Sequence, residues 1–488
     1  MGDILHQNRR PICLCFGLAF LKAGFFTYAF TEGIFPYLAA GELMISLPTI
    51  ISYTALSLIL LLVAFMGKAI GALEGRPVAA AVSTGIVVLG TMLGLFSRDP
   101  FGLDAFSVLS AMCVGGASGV MFVIWGEMLS RFSYHLIKIL VGITLVITFV
   151  LYLLVLVAPL PASSFLIVVF PLVSGLCMVP LARDAGDSCA ELEEGKDVEG
   201  LVKLSPPYKK WIVLLGIPHF VLSVVNVALW SLSNVVAGAD PLMFLLLAFA
   251  GGTAFAVFLF LLVLNNESRL QVSSLTQYAI PLLIVAPVLI VLAEGFYPLV
   301  VLSFMLVCST IVFADFLNWI LFCELAREEP SHKTTIVAFG RFFIYSGMLS
   351  GCLIGRYLVR VFEGGVTSSS WTVILCVVVI VLVALMVFVN AVEQYRVDAI
   401  FRDFARRTPR DLALNDRFME EAKASYGLTP REYEVMLLLY EGLTAPQIQT
   451  RLVISLNTVN SHMKRIYKKL GVHNRVELYN KIKETPLD

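Results

Sequence analysis

The chain has 488 residues, of which 58% are hydrophobic and 14% charged, and its mean hydropathy is +0.87. Soluble domains are about half apolar and about a quarter charged, so this composition excludes an ordinary soluble enzyme and indicates a protein that crosses a membrane many times. The 35 basic and 35 acidic residues cancel to a formal net charge of zero. That balance is uninformative about partners, because the charges are segregated along the chain.

Apolar runs long enough to cross a bilayer, about 20 residues each, recur along most of the chain. The predicted spans of the first half are 11–31, 43–66, 77–96, 105–128, 136–158 and 164–181. Those of the second half are 211–235, 242–264, 275–293, 298–325, 334–359 and 371–392. The sequence therefore predicts an all-α fold: a twelve-helix transmembrane bundle in two six-helix halves, followed by a small C-terminal helical domain.

Hydrophilic segments divide the chain into domains. The acidic segment 182–210 is interpreted as a central loop between the membrane halves 1–181 and 211–392. After the last span, segment 393–426 carries an apolar stripe with arginines on either side, which indicates an amphipathic helix at the membrane surface. The stripe consists of Val397, Ile400, Phe401 and Phe404. This linker either transmits a signal or is a passive tether, and residues 427–488 form the final domain.

The N-terminus has a feature of a secretory signal, since Arg9 and Arg10 precede an apolar run. However, Lys22 interrupts that run and no clear small-residue cleavage site follows it. We interpret the run as a retained first span.

The basic residues of the loops predict the orientation, because cytoplasmic loops are enriched in Lys and Arg. With the N-terminus inside, only Arg98 and Arg360 fall on the outer side. The basic residues on the inner side are Arg9, Arg10, Lys68, Arg76, Arg131, Arg183, Lys196, Lys203, Lys209, Lys210, Arg269, Arg327 and Lys333. Both termini are therefore predicted to be cytoplasmic.

The cysteines indicate neither a metal nor a redox site. Eight of the nine lie in apolar runs, only Cys189 lies in a predicted loop, and none forms a Cys-x-x-Cys or Cys/His spacing. Small buried apolar side chains are the simpler interpretation. We expect no metal and no cofactor, and the absence of a catalytic constellation gives an enzyme little support.

The C-terminal segment 428–478 contains four helix-start signals in turn. Thr429 is followed by Pro430 and by Glu432, and the pairs Thr444/Gln447 and Asn474/Glu477 repeat the reciprocal capping pattern. Ser455 caps the third helix, and Gly442 and Gly471 stand where helix ends favour positive φ. The segment is predicted to be a compact four-helix module.

The third of these helices, 456–470, has two different faces. Val459, Met463, Ile466 and Leu470 form one apolar stripe that must pack inward. The opposite face has amides, a hydroxyl and ammonium groups but no carboxylate. Its residues are Asn457, Asn460, Ser461, Lys464 and Lys468. Such groups suit base edges and phosphates of DNA, and basic residues outnumber acidic ones in the segment. The alternative is a small interaction module with a solvated basic face.

The segment resembles the DNA-binding domain of the LuxR/NarL class of bacterial transcription regulators. The matching residues are Leu428, Thr429, Arg431, Glu432, Glu434, Val435, Gly442, Ile448, Leu452, Ile454, Ser455, Thr458, Val459, His462, Ile466, Lys469, Leu470, Gly471, Val472, Arg475, Glu477 and Leu478. The resemblance implies a helix-turn-helix in which 445–452 is the scaffold and 456–470 is the recognition helix. It further implies double-stranded DNA as partner, a homodimer on DNA, and the cytoplasmic membrane of a bacterium as the location.

The resemblance also assigns roles to single residues. Asn460, Ser461 and Lys464 would face bases, whereas Thr458 and Lys469 would touch the phosphate backbone. With the neighbouring polar residues, the candidate DNA-binding set is Asn457, Thr458, Asn460, Ser461, Lys464, Lys468 and Lys469. The fourth helix, with Val476 and Tyr479, would form the dimer contact.

Three residues depart from the family pattern. Asn460 replaces the usual lysine, and its amide suits an adenine, so the preferred site can differ. Gln449 replaces a small alanine, which puts the tightness of helix packing in question. Pro446 falls in the first turn of the scaffold helix, where the N–H groups lack intrahelical partners anyway.

Twelve spans in two sixes resemble the major facilitator superfamily, whose members are built from internal repeats. In that fold spans one, four, seven and ten line a central cavity, and polar residues of this chain concentrate there. The predicted cavity residues are Lys22, Trp125, His219, Asn226, Asp315, Asn318 and Trp319. Intramembrane charges mark candidate sites, here for an unknown small-molecule ligand. The alternatives are structural pairing of Lys22, and of Asp315 with Arg341, and an interfacial position for Glu127 and Glu324.

Two functions fit these features. The first is a membrane-embedded one-component transcription regulator that senses a small molecule and binds DNA. The alternative is a secondary transporter with a regulatory DNA-binding tail. The loop between spans two and three, Gly71 to Pro77, lacks the aspartate of the transporter signature, which argues against transport. A phosphorelay regulator is not favoured, since no soluble α/β segment exists to form a receiver domain.

Overall fold

The computed structural model describes most of the chain in two compact units, Met1–Arg396 and Val397–Asp488. The described residues are 2–30, 47–97, 104–132, 134–159, 161–193, 208–231, 241–264, 279–293, 296–361, 373–374, 377–389, 391, 426–440, 445–452, 454–472 and 477–478. The stripe of the predicted amphipathic linker lies outside them.

The described part of the first unit consists of helices. The first six are α1 Gly2–Phe30, α2 Leu47–Ile70, α3 Pro77–Gly94, α4 Ala105–Leu129, α5 Tyr134–Val157 and α6 Ala162–Glu193. The next six are α7 Tyr208–Ser231, α8 Pro241–Leu264, α9 Ile280–Ala293, α10 Tyr297–Glu328, α11 Lys333–Val361 and α12 Val377–Val389. A short 3₁₀ turn, Pro330–His332, joins α10 to α11.

Among the described residues, nine helices are long and apolar enough to cross a membrane, and α8, α9 and α12 contribute shorter apolar segments. Each of the twelve predicted spans contains one helix. Long apolar side chains are exposed along these helices, for example Phe65 at 74% and Val78 at 73%. This arrangement suits a lipid environment, since only helices satisfy their own backbone in hydrocarbon. The all-helical fold class is confirmed.

Two helices extend beyond the predicted spans, because a helix can continue through polar residues after the apolar run has ended. Helix α1 begins at Gly2, so the segment holding Arg9 and Arg10 is already helical. Helix α6 continues to Glu193, well beyond 181. Residues 182–193 are rich in good helix formers and contain no proline, so the helix persists after the apolar run stops. Cys189, predicted to lie in a loop, is therefore helical.

The two halves of the bundle meet on two sides. Helix α2 packs against α11 on one side, and α5 packs against α8 and α10 on the other. Within the halves, α4 packs between α2 and α3, and α7 packs against α11. Small residues allow close approach at these crossings, as is usual where no hydrophobic effect drives helices together in lipid.

Gly115 shows how close that approach is. A Cβ there would lie 2.8 Å from the carbonyl carbon and 2.9 Å from the Cα of Ser52 in α2, whereas at Gly116 it would meet only Ile59 Cγ1, at 3.5 Å. The backbone of α2 therefore leaves no room for a side chain at Gly115, whereas Gly116 has room for one.

We predict that Gly115→Ala destabilises the membrane unit and that Gly116→Ala does not. Overpacking costs about 1–3 kcal/mol, which outweighs the gain in helix propensity of about 1 kcal/mol that both variants share. The measurement is the temperature of half-aggregation in detergent. Equal temperatures for the two variants would contradict the assigned α2–α4 contact.

The second unit has three described helices, α13 Pro430–Tyr440, α14 Ala445–Leu452 and α15 Leu456–Leu470. Helix α15 packs against both α13 and α14. Their common core is formed by Leu428, Tyr433, Val435, Met436, Leu438, Leu439, Ile448, Val459, Ile466, Leu470, Val472 and Leu478. This unit thus has a hydrophobic core of its own.

Candidate DNA-binding surface and intramembrane charge cluster

Helix α15 is bounded by the two capping residues that the sequence predicts. Ser455 has extended backbone angles, and its hydroxyl accepts a hydrogen bond from the N–H of Thr458 at 3.1 Å. Gly471 ends the helix in the left-handed conformation, with φ at 64°, where a side chain would be strained. The caps fix the length and register of the helix, and therefore which side chains face outward.

The inner and outer faces of α15 follow the sequence pattern. Val459, Ile466 and Leu470 are buried and Met463 is half-buried. All seven candidate DNA-binding residues are exposed: Asn457, Thr458, Asn460, Ser461, Lys464, Lys468 and Lys469. The helix contains no Asp or Glu, and Arg465 is a further exposed cation on it. The helix therefore presents one continuous polar and basic surface.

Helix α13 is joined to α15 by a buried carboxylate. Glu432 accepts the N–H of Thr429 at 2.9 Å, and the Thr429 hydroxyl accepts the N–H of Glu432 at 3.3 Å, a reciprocal capping box. The same Glu432 Oε2 accepts Lys469 Nζ at 2.7 Å, and Lys469 also donates to the carbonyl of Gly427 at 2.7 Å. The sequence pattern predicts the capping box; it gave no sign of the contact with Lys469.

Glu432 stays ionised because of these donors. Burial by itself raises the pKa of the carboxyl, but the bonds from Lys469 and from the N–H and hydroxyl of Thr429 lower it to about 2. Lys469 uses two of its three N–H donors inside the domain. The third remains at a surface where the side chain is 34% exposed.

Other sequence-based assignments in this unit lie outside the described residues. They include the dimer residues Val476 and Tyr479, the turn residue Gly442, and the capping residues Thr444 and Asn474. Gln449, one of the departures from the family pattern, is half-buried in α14, and its carbonyl accepts the N–H of Ile454 at 3.2 Å.

The membrane unit contains a buried cluster of three charges. Asp315 of α10 pairs through Oδ2 with Lys22 of α1 and through Oδ1 with Arg341 of α11, the latter at 2.7 Å. Arg341 also donates to Asn318 Oδ1, and its guanidinium lies 3.9 Å from the centre of the Trp319 ring. Lys22 and Asp315 are less than 10% exposed and Arg341 is 1% exposed. Two cations thus share one carboxylate in the interior.

Aromatic rings surround this cluster. The ring of Tyr345 stacks on those of Phe122 and Tyr53, with centroids 5.4 and 6.2 Å away. Phe25 packs edge-on against each of these three rings. Phe122 lies 6.3 Å from Trp319. The rings come from α1, α2, α4, α10 and α11, so they close the centre of the bundle around the charges.

The structure brings together four of the seven predicted cavity residues, and the other three bond to groups outside this cluster. Lys22, Asp315, Asn318 and Trp319 belong to the charge cluster. Trp125 instead donates to Ser174 Oγ at 3.2 Å, Nδ1 of His219 bonds the carbonyl of Leu215 at 2.7 Å, and Asn226 Oδ1 accepts the Thr310 hydroxyl at 2.6 Å. Arg341, assigned in sequence only as a pair for Asp315, completes the cluster.

A cavity of about 60 Å³ borders this cluster. It is lined by Lys22, Phe26, Leu145, Thr148, Phe149, Tyr152, Phe249, Thr253, Ile311, Val312 and Asp315. The lining helices are α1, α5, α8 and α10, whereas the sequence analysis expected spans one, four, seven and ten. Trp125 of α4 and the polar residues His219 and Asn226 of α7 form hydrogen bonds to other groups instead of lining this cavity. Only Lys22 and Asp315 of the predicted residues face this cavity.

A second polar network closes one end of the bundle. Buried Glu74, after α2, pairs with Arg131 at 2.8 Å and with Lys333 of α11. Buried Glu127 accepts the N–H groups of Leu73 at 2.8 Å and Glu74 at 2.7 Å, together with the Thr334 hydroxyl. Glu127 therefore binds the loop between α2 and α3, while Glu324 pairs with Arg327 at 2.6 Å.

Comparison with known families identifies the C-terminal part. Residues 426–482 match the family of bacterial regulatory proteins, luxR family. The C-terminal domain is a LuxR-type helix-turn-helix. Such a domain binds DNA, and its matched segment includes all three described helices of the second unit.

Curated relatives agree over the same region. The transcriptional regulator MalT of Cronobacter sakazakii is 31% identical over 94 residues, and that of Klebsiella pneumoniae is 31% identical over 93 residues. Each match covers 17% of this chain but only 10% of the relative. The chain thus spans about a tenth of the length of these regulators.

Solved structures resemble the remainder. The human organic anion transporter MFSD10 has a TM-score of 0.53 and 14% identity, over 77% of this chain and 99% of that one. A bacterial homologue of the iron transporter ferroportin, in its outward-facing state, has a TM-score of 0.54 and 14% identity over 79% and 99%. The proton:xylose symporter XylE has a TM-score of 0.53 and 11% identity over 78% and 95%. At these identities the likeness shows a fold like that of the major facilitator superfamily.

For the LuxR-type domain, we predict that Glu432→Gln lowers the free energy of unfolding at pH 7 by about 1–3 kcal/mol, because it removes a charge-assisted bond to Lys469. The pKa of Glu432 is lower in the folded domain, about 2, than its ordinary 4.5. Its contribution is therefore complete above pH 4.5 and is lost as the pH falls towards 2. Denaturant unfolding of Val397–Asp488 across this pH range provides the measurement.

Glu434→Gln is the matched control, since the Glu434 carboxylate is 49% exposed and pairs only with exposed Arg431 on the same helix. That variant should keep the stability and the acid dependence of the unmodified domain. If Glu432→Gln also kept both, the link between α13 and α15 would not depend on this carboxylate.

Proposed function

We propose that this chain is a membrane-embedded one-component transcription regulator, in which the LuxR-type domain binds DNA and the membrane unit senses a small molecule. The observation that carries the proposal is a DNA-binding domain joined, in one chain, to a membrane bundle with buried charges beside a cavity. The bundle is the part of the chain that offers a ligand site.

The exposed face of α15 supports its role as the recognition helix. Asn460, Ser461 and Lys464 lie on this face towards its middle, where amide, hydroxyl and ammonium groups can reach base edges in the major groove. Asn457, Thr458 and Lys468 extend the same surface towards phosphates. Lys469 has one N–H donor left for a phosphate and otherwise holds α15 against α13.

The location and assembly follow from the same reasoning. The domain must meet DNA, so the C-terminus is cytoplasmic and the bundle lies in the cytoplasmic membrane of a bacterium. The distribution of loop arginines and lysines supports this orientation. A homodimer on DNA is proposed because paired helix-turn-helix domains read two half-sites.

Transport is the second candidate, and the fold of the bundle favours it, since transporters share that fold. Glu74 weakens one objection to transport. The loop between α2 and α3 lacks an aspartate, yet Glu74 supplies the carboxylate that pairs with Arg131 and Lys333. The two functions are therefore separated by experiment rather than by this loop.

We predict that Lys464→Gln in the full chain weakens binding to its promoter and lowers the salt dependence by about one released counterion, because a phosphate- or base-contacting cation is removed. The affinity at several salt concentrations provides the measurement. Lys209→Gln, which removes an exposed cation of α7, is the control and should leave affinity and slope unchanged. Equal effects of the two variants would contradict the recognition-helix assignment.

We predict that a topology reporter after Asp488 is cytoplasmic and that vesicles containing the full chain bind an effector without accumulating it. A reporter on the outer face would exclude DNA binding by the intact chain.

Concentrative uptake that is lost in Asp315→Asn would instead establish the transporter alternative.

A further inference from the structure

The charge cluster carries one positive charge too many. Lys22 and Arg341 are both within ion-pair distance of Asp315, and no other carboxylate of the described residues lies within 4 Å of either cation. An unbalanced charge inside a membrane is costly unless a counter-charge or water is available. The cluster therefore favours a ligand that brings one negative charge.

Of the two cations, Lys22 is the one that a ligand can reach. Arg341 is fully engaged by Asp315, by Asn318 and by the face of Trp319, and it is not part of the cavity wall. Lys22 lines the cavity, and among the described residues its hydrogen-bond partner is Asp315. A lysine ammonium has three donors on a flexible stem, so it can bind a second acceptor while Arg341 keeps Asp315 neutralised.

The rest of the cavity wall indicates what surrounds the negative charge. Tyr152 is 4% exposed, lines the cavity, and its hydroxyl has no hydrogen-bond partner among the described residues. Its ring packs against Phe249 at 5.1 Å, and Phe26 and Phe149 complete an aromatic wall. A phenol donor without a partner and an ammonium in the wall of the same cavity suit a carboxylate, and the aromatic wall suits an apolar body.

We infer that the cavity between α1, α5, α8 and α10 binds an apolar organic monocarboxylate, with the carboxylate bonded to Lys22 and Tyr152 and the body packed against the phenylalanines. This inference rests on the proposed sensing function and specifies the chemical class of its effector. Both oxygens of Asp315 are already bonded, so an organic cation has no free carboxylate to bind.

The test uses the full chain in nanodiscs and three carboxylates chosen for a cavity of about 60 Å³, formate, acetate and propionate, each with its neutral amide. Calorimetry or thermal shift provides the affinity. The expected result is binding of acetate or propionate at least about ten-fold tighter than of the matching amide, because a hydrogen bond between charged groups is stronger than one to a neutral amide. Equal binding, or no binding, of all three acid–amide pairs would overturn the inference.

Two variants locate the site. Lys22→Gln should abolish the preference for the acid, whereas Lys22→Arg should retain it. Tyr152→Phe preserves the ring and the fold and removes one donor, so it should weaken carboxylate binding about two- to ten-fold without changing amide binding. Unchanged acid binding in Tyr152→Phe and in a folded Lys22→Gln protein would place the anion elsewhere and overturn the inference.

DNA binding of the same preparations separates this inference from the proposed function. If the carboxylate binds through Lys22 but neither promoter affinity nor transcription responds to it, the site stands and the sensing function fails. If no carboxylate binds and another class of effector changes promoter occupancy, the sensing function stands and the carboxylate inference fails.

Discussion

The membrane unit is organised around one carboxylate that must neutralise cations from both of its halves. Lys22 lies in α1 and Arg341 in α11, and Asp315 of α10 bonds both. In a low dielectric each of these bonds is strong, but so is the cost of any charge left without a partner. Tyr53, Phe122 and other buried rings pack at the centre of the bundle beside these three side chains. The relative position of the halves is therefore coupled to how the positive charges are satisfied.

This coupling gives a ligand a physical means of changing the bundle. A molecule shifts a conformational equilibrium only by the difference in its affinity for the two states. Lys22 bonds a residue of the other half in the structure described, so an anion that competes for Lys22 acts directly on a contact between the halves. At the end of the bundle with the α2–α3 loop, Lys333 and Thr334 of the second half bind Glu74 and Glu127 of the first. A ligand that loosened the central bonds would have to work against this second set of bonds between the halves.

Features set by neighbouring residues, such as helices and their caps, could be predicted from the sequence, whereas contacts between residues far apart in the chain could not. The apolar runs predicted the described membrane helices, because a segment in hydrocarbon must be apolar and must satisfy its own backbone. Ser455, Gly471 and the Thr429–Glu432 pair predicted helix ends in the LuxR-type domain, because capping depends on neighbouring residues. The bond from Glu432 to Lys469 spans 37 positions, and no pattern in the sequence reveals it. The cavity shows the same limit: Trp125, His219 and Asn226 are polar residues in the expected spans, yet each bonds a neighbour instead of lining the cavity, whereas Tyr152 and Arg341 gain importance only from their surroundings.

Both units carry more cations than carboxylates at their candidate sites, but the surplus charge is exposed in one unit and buried in the other. In the LuxR-type domain a buried carboxylate holds Lys469 at the edge of an exposed basic helix, and the remaining cations of that helix are left to solvent, where salt screens them until a polyanion displaces the counterions. In the bundle the surplus cation is buried, where no counterion atmosphere exists, and only a molecule of the right charge and shape can enter. Surplus positive charge at the surface suits broad recognition of a polymer, and in the interior it suits the selective recognition of a small anion that we infer for the bundle. The difference in dielectric, rather than in residue type, determines which kind of partner each site selects.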